Sequence, residues 1–393
     1  MKPDPKRIIS TGKAVDLDYY VEPQEKISDL RSLNIGDLTI PVPIVQGGMG
    51  IGVSLSGLAS AVANMGGIGV ISSVGIGLIG HETHRQYRQR NIEAIRREIR
   101  RAREKSRGVL GVNIMSVITN FKDMVRTSIE EGIDIIFAGA GLPLDLPGYL
   151  GRESNTKLVP IVSSARAASI ISKKWKQNYD HLPDAIVVEG PKAGGHLGFK
   201  AEALQNEDNK LENLVDDVLE VTHEIEEQYN QKIPVIAAGG IYTGADMHQF
   251  ISRGASAVQL GTRFVATEEC DASEKFKDAF VQAGEKDIRI IKSPVGMPGR
   301  SLSNNFLKEA EEGKRRPSVC RHHCIKSCDP KTTTYCIAEA LLSAYEGNMD
   351  NGFAFTGVNA GLVKGISTVR KVFNQLKNEY RQAQKNFRIS CDN

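Results

Sequence analysis

The chain has 393 residues, with 50 basic and 47 acidic side chains and a formal net charge of +3. That balance supplies no bulk field for nucleic acid or an anionic membrane surface, and the length allows one large domain or two ordinary ones. No apolar run reaches the roughly 18 residues of a membrane span, and the opening stretch from Met1 to Pro5 lacks a signal peptide's apolar core, so a cytoplasmic protein is expected.

Eight short apolar runs follow one another at 43–46, 68–72, 109–113, 134–138, 158–163, 185–189, 234–238 and 257–261. Segments of helical spacing lie between them, as at 55–65, 82–105 and 211–229. Near-continuous apolar strands alternating with helices belong to a parallel sheet covered by those helices. Eight of them predict an α/β fold, a closed (β/α)8 TIM barrel rather than an open doubly wound sheet, and roughly 250 residues suit the span 36–285. The predicted division is an N-terminal arm at 1–35, a barrel at 36–310 and a C-terminal extension at 311–393. Most runs end in glycine or small residues, at the end of the strand where such barrels carry their active sites.

After the second run, Gly75-Ile76-Gly77-Leu78-Ile79-Gly80 matches the dinucleotide-binding spacing G-x-G-x-x-G. No acidic residue ends a second strand about 20 residues later, as that fingerprint requires. That region is instead the arginine-rich helix at 82–105, and a Rossmann site is rejected. Along this helix Ile92, Ile95, Ile99 and Ala102 fall on one stripe. Arg96, Arg97, Arg100, Arg101 and Arg103 are then its solvated face rather than a nucleic-acid site.

Around the end of the sixth run, Gly190, Gly194, Gly195 and Gly198 surround His196. Glycines let backbone N–H groups approach a phosphate or a flat ring closely. A histidine with so little bulk beside it reaches a bound ligand; the alternative is a flexible turn with an exposed imidazole. Runs seven and eight end in Gly239-Gly240 and Gly261-Thr262, in the loops that commonly form a barrel's phosphate site. Gly239 and Gly240 offer backbone donors and Thr262 a hydroxyl, unless these are simply tight turns. No Walker pattern is present, which disfavours a nucleoside triphosphate.

Together, Gln46-Gly47-Gly48-Met49, Gly111-Val112-Asn113-Ile114-Met115, the loop from Glu189 to His196, Ala238-Gly239-Gly240-Ile241 and Gln259-Leu260-Gly261-Thr262-Arg263-Phe264 resemble one family. It is the FMN-dependent nitronate monooxygenase family, formerly the 2-nitropropane dioxygenases, which includes the FMN-type enoyl-ACP reductases. The resemblance runs in order over about residues 36–310. It implies a non-covalent FMN across the mouth of the barrel, with Asn113 at the flavin ring and Gly48 and Met49 packed against it. Glu189, Gly194 and Gly195 are then along the flavin and ribityl side. Gly239, Gly240, Gln259, Leu260, Gly261 and Thr262 are at the phosphate end. His196 is placed beside the substrate as a base or proton donor, a role that suits an imidazole near neutral pH.

Within the family this chain departs from pattern at two positions. Nitronate monooxygenases usually carry Gln where Glu189 stands, whereas the reductases usually carry Glu. Lys192 replaces an acidic residue usual in both branches. Its charge suits an anionic nitronate or a phosphopantetheine arm, unless it is a solvated loop lysine. The stretch 298–304 resembles the family's Arg-x-Leu-x-Asn segment and is expected to be structural, closing a lid over the site. Residues 353–361, with a helix running to about 384, resemble the tail that returns beside the active site.

Cys320, Cys324, Cys328 and Cys336 crowd into 320–336 with His322 and His323, while Cys270 and Cys391 stand alone. This is ligand-type clustering rather than a secreted disulfide framework. Four thiolates can hold a structural Zn²⁺ or an Fe–S cluster. The spacing is neither a paired C-x2-C nor a ferredoxin run, and Cys336 serves equally as a small buried residue leading into an apolar helix.

The expected function is an FMN-dependent oxidoreductase that oxidises alkyl nitronates with O₂ to carbonyl compounds and nitrite. One alternative is NAD(P)H-dependent reduction of an enoyl thioester on the same flavin. A remoter one is a flavin-free barrel acting on a sugar phosphate, for which no lysine or paired carboxylates sit at the strand ends. Expected partners are a small-molecule substrate and, in the reductase case, NAD(P)H. A homodimer is open; neither nucleic acid nor membrane is expected.

Overall fold

The computed structural model describes residues 30–80 and 86–391. Most of the predicted N-terminal arm and the first residues of the arginine-rich helix lie outside that range. Eight parallel strands are present: β1 (Ile44–Gln46), β2 (Gly69–Ser72), β3 (Leu110–Met115), β4 (Ile135–Gly139), β5 (Lys157–Val162), β6 (Ile186–Glu189), β7 (Val235–Ala238) and β8 (Ala257–Leu260). They pair in the order β1-β8-β7-β6-β5-β4-β3-β2. The remaining seam is bridged between Val45 and Ile68. Each predicted run corresponds to one strand of a TIM barrel.

A side chain helps to close that seam. Gln46 is 0% exposed; its Nε2 donates to the Val70 carbonyl at 3.1 Å and its Oε1 accepts the Val70 N–H at 3.0 Å. The carboxamide thus acts as a neighbouring strand would, satisfying both backbone groups of Val70.

The period of two along each strand divides the core. Val45, Val70, Phe137, Val159, Val187 and Ile236 form the barrel interior, while Ile44, Ile71, Ile136, Leu158, Ile186 and Val258 face the helices. Leu33, Ile35 and Ile40 join the interior cluster from a short antiparallel hairpin, Leu33–Ile35 with Leu38–Ile40. This hairpin plugs the end where the strands begin, since Lys157, the first residue of β5, pairs there with Asp37. The boundary expected between residues 35 and 36 therefore cuts a hairpin that belongs to the barrel. Three-residue strands carry too few positions for a period to be read.

Helices Ser56–Asn64, Tyr87–Lys105, Phe121–Glu130, Ala165–Tyr179, Leu211–Tyr229 and Gly244–Ser252 surround the sheet. The C-terminal helix Val369–Cys391 joins this layer: Val372, Phe373 and Leu376 share its core, and Glu379 accepts the Gly244 N–H at 2.7 Å. In the arginine-rich helix, Ile95, Ile99 and Ala102 are buried, while Arg96 and Arg100 pair with Glu131 and Arg103 with Asp134. It is the solvated outer helix that its stripe predicts. Gly77 of the rejected dinucleotide motif lies against this helix, where an added Cβ would come 2.4 Å from the Asn91 nitrogen; its glycine serves packing. Among the described residues, no helix is long and apolar enough to cross a membrane.

Candidate active site

The C-terminal ends of the strands open onto a cavity of about 270 Å³. Gly48, Met49, Asn113, Glu189, Gly194, Gly195, His196, Gly239, Gly240, Gln259, Gly261 and Thr262 all line it. Leu260 does not. It is 1% exposed in the helix-side core, and its carbonyl continues the strand ladder by accepting the Gly47 N–H at 2.9 Å. The alternation that turns Gln259 toward the cavity turns Leu260 away from it.

Close approach explains two of the glycines. A Cβ on Gly48 would lie 2.3 Å from the Asn113 Cβ, so any side chain there would displace the Asn113 amide. One on Gly194 would lie 2.6 Å from the Gly357 nitrogen. Gly239 and Gly240 instead need their conformation, with φ of +95° and +93°.

The histidine loop is not a loose turn. Gly195 and His196 form a short strand that pairs with Arg300 and Gly299, and the strand Pro298–Leu302 pairs in turn with Ile288–Lys292. The buried Arg300 guanidinium donates from Nη1 to the Pro191 carbonyl at 2.7 Å and also to that of Ala193. Asn304 Nδ2 holds the carbonyls of Met349 and Gly352 at 3.1 and 2.6 Å. The 298–304 stretch is thus structural, as expected, but it works by clamping loops.

His196 Nε2 lies 2.7 Å from Ser293 Oγ, and its ring packs on Phe355 at 4.8 Å between centroids. Burial pushes this imidazole down to about 4 and the Glu189 carboxyl up to about 7. At neutral pH the imidazole is uncharged, with a ring nitrogen open as an acceptor, and the same burial makes it a weaker base than a free imidazole.

Residues of the returning tail complete the walls. Thr262 Oγ1 accepts the Gly357 N–H at 3.1 Å, and Asn359 Nδ2 donates to the Gly240 carbonyl at 2.8 Å. The tail therefore ties both glycine turns together. Sequence placed it beside the site, yet nothing local distinguishes Phe355 from an ordinary core aromatic, and Ser293 carries no motif at all. Lys192 is exposed at the cavity and packs against Gly240.

The four-cysteine ligand set is not the group that converges. Among the described residues, His322, Cys336 and Glu339 have ligand atoms within 4.8 Å of one another. Cys324 instead lines the cavity together with Ile337 and Ala338. A helix beginning after Cys336 puts Glu339 in its first turn, a placement that cysteine spacing does not reveal.

A family model described as nitronate monooxygenase matches residues 31–379. The chain belongs to the nitronate monooxygenase family. As a member it is a nitronate monooxygenase-like oxidoreductase. It is 27% identical over 304 residues to the "Probable nitronate monooxygenase" of Staphylococcus aureus (strain MSSA476), covering 70% of this chain and 79% of that protein. It is also 28% identical over 273 residues to "(3aS,4S,5R,7aS)-5-hydroxy-7a-methyl-1-oxo-octahydro-1H-indene-4-carboxyl-CoA dehydrogenase" of Mycobacterium tuberculosis, covering 70% of this chain and 66% of that protein. FabK from Thermotoga maritima superposes with a TM-score of 0.68 at 28% identity, covering 88% of this chain and 94% of that one. Nitroalkane oxidase from Streptomyces ansochromogenes shares the fold, with a TM-score of 0.68 at 22% identity over 88% of this chain and 98% of that one.

Proposed function

We propose that this member of the nitronate monooxygenase family is FMN-dependent and oxidises alkyl nitronates with O₂ to carbonyl compounds and nitrite. The observation that carries the reading is the neutral, Ser293-bound imidazole of His196 in a cavity walled by glycine turns and Asn113. Those walls suit a flavin. Gly48 and Gly194 have no room for side chains of their own, and Asn113 offers an amide to ring heteroatoms. The turns at Gly239, Gly240, Gly261 and Thr262 offer backbone donors and a hydroxyl to a phosphate.

Bound FMN supplies the electron transfer. The chain's own part is to bind, orient and move a proton. His196, with Nε2 held by Ser293, uses its other ring nitrogen to take the α-proton of a neutral nitroalkane, or to orient a nitronate that is already ionised. Lys192 brings positive charge to the cavity, which attracts an anionic substrate. Phe355 packs against one side of the imidazole and helps to fix its orientation.

Glu189 and the likeness to FabK favour a second reading, NAD(P)H-dependent reduction of an enoyl thioester. Anaerobic stopped-flow separates the two. Flavin bleaching by propionate 3-nitronate, with nitrite released once O₂ is admitted, supports the first. Rapid bleaching by NADH or NADPH without nitronate turnover selects the second. A preparation with no flavin absorbance and no uptake of added FMN would return the chain to the flavin-free sugar-phosphate barrels.

A further inference from the structure

Three chemically different donors meet beside the cavity wall. Cys336 caps the helix Ile337–Tyr345, and Glu339 lies in its first turn. His322 comes from the preceding cysteine-rich loop and is 4% exposed. Their ligand atoms fall within 4.8 Å of one another. Metal–ligand bonds of about 2.0–2.3 Å place neighbouring donors roughly 3–4 Å apart, so small shifts would seat one ion. His322 already faces Glu339, with Nε2 3.7 Å from its Oε1.

We propose that His322, Cys336 and Glu339 bind one Zn²⁺ ion that joins the cysteine-rich loop to the helix lining the cavity. The donor chemistry selects the cation. An imidazole nitrogen, a thiolate sulfur and a carboxylate oxygen together suit borderline Zn²⁺, whereas Mg²⁺ and Ca²⁺ prefer oxygen alone. Cys324 packs in the same apolar cluster as Cys336, and a water molecule completes the tetrahedron as the fourth ligand. Tyr87 stands against the site, with its ring centroid 5.9 Å from that of His322.

Binding replaces the Cys336 S–H bond with a metal–sulfur bond and releases the proton to solvent. His322 binds as neutral imidazole and Glu339 as carboxylate, and no electron moves. The role is mechanical. Ile337, Ala338 and Leu341 line the cavity from the helix, and Cys324 and Ile325 line it from the loop. An ion holding loop to helix fixes that wall. This inference stands apart from the flavin and from the choice of substrate.

The test uses the full chain, stripped with a chelator under reducing conditions and titrated with Co²⁺. One equivalent is expected to bind, with a thiolate-to-cobalt charge-transfer band, intense visible bands of tetrahedral type, and displacement by Zn²⁺. His322→Ala and Cys336→Ser should each weaken Co²⁺ retention by more than about tenfold, since outer-shell partners alone contribute about 10- to 100-fold. Cys328→Ser should leave it unchanged. Glu339→Gln is the variant least able to disturb folding, because that side chain is 44% exposed; it should weaken retention while circular dichroism stays constant. Unchanged retention in Glu339→Gln or Cys336→Ser overturns the proposal. So does equal loss in Cys320→Ser and Cys328→Ser, or iron–sulfur absorbance in protein purified without air; either would assign the loop to four thiolates. Absence of any Co²⁺ band in the intact chain also overturns it.

Discussion

Ser293 Oγ lies 2.7 Å from His196 Nε2, across 97 residues of sequence. The serine is 3% exposed, and its Oγ also receives the Val295 N–H at 3.3 Å. This pairing decides which ring nitrogen is left for a substrate. Ser293→Ala removes a buried hydrogen bond worth about 1–3 kcal/mol. The expected result is a fall in kcat on the order of tenfold with little change in KM, read as steady-state O₂ uptake on propionate 3-nitronate. An unchanged kcat would show that the hydroxyl does not hold the ring during turnover.

His196→Asn distinguishes proton removal from substrate positioning. With a neutral nitroalkane, kcat/KM should fall by about 10²–10⁴. With the preformed nitronate the loss should be much smaller, because its α-proton has already gone. The visible flavin spectrum checks that the cofactor is retained. Equal losses on both substrates would remove proton abstraction from the role of His196.

Glu189 and His196 pull stability of the ligand-free protein in opposite directions as pH changes. Folding raises the Glu189 carboxyl from its ordinary 4.5 to about 7. Across that window the folded chain keeps a proton that the unfolded chain has released, so this group's contribution to stability is lost as pH rises. Folding lowers the imidazole from 6.5 to about 4. Here the unfolded chain takes up the proton first, and stability is lost as pH falls from 6.5. Glu189→Gln should therefore stabilise the protein more at pH 8 than at pH 5, by about 1–3 kcal/mol of unfolding free energy, which is read as a larger rise in Tm at the higher pH. Thermal scans at the two pH values give the comparison; an equal shift at both would mean that Glu189 ionises freely.

Gly48 is held to glycine by its contact with Asn113, 2.3 Å from an added Cβ. Gly48→Ala must move that amide, at an overpacking cost of about 1–3 kcal/mol. FMN affinity should drop by at least about tenfold on that scale, measured by fluorescence titration of the stripped protein. Normal affinity would mean that the Asn113 amide does not touch the flavin.

Arg300 links the histidine strand to the loop before it through the carbonyls of Pro191 and Ala193. Arg300→Met keeps the apolar stem and leaves both buried acceptors without this donor, at roughly 1–3 kcal/mol each. Tm should fall by several degrees, and activity should fall further than the residual folded fraction accounts for. Calorimetry and kinetics on the same preparation separate the two effects.

Much of this fold could be read without coordinates. The strands of a parallel barrel are buried on both faces, so runs such as 185–189 and 234–238 are continuously apolar and stand out from the helices between them. The hairpin at Leu33–Ile35 and Leu38–Ile40 leaves no such run, because exposed positions interrupt its three-residue strands. The site was legible where chemistry sits at strand ends, as at Asn113, Glu189 and Gly239. Leu260 shares the motif of its neighbours, but the two-residue period puts its side chain on the other face.

By itself the sequence determined the eight-strand repeat, the glycine turns and the loop that carries His196, because each is written in consecutive residues with a local period or spacing. Only the tertiary structure decided what surrounds that imidazole. Ser293 and Phe355 reach it from distant segments, Arg300 orders its loop from across a small sheet, and Gln46 helps to seal the barrel seam. The same holds for the cysteine-rich loop, where convergence selects His322 and Glu339 beside Cys336. These meetings depend on the path of the whole chain, and a path that brings residues 97 apart within 2.7 Å leaves no periodic trace in the letters between them.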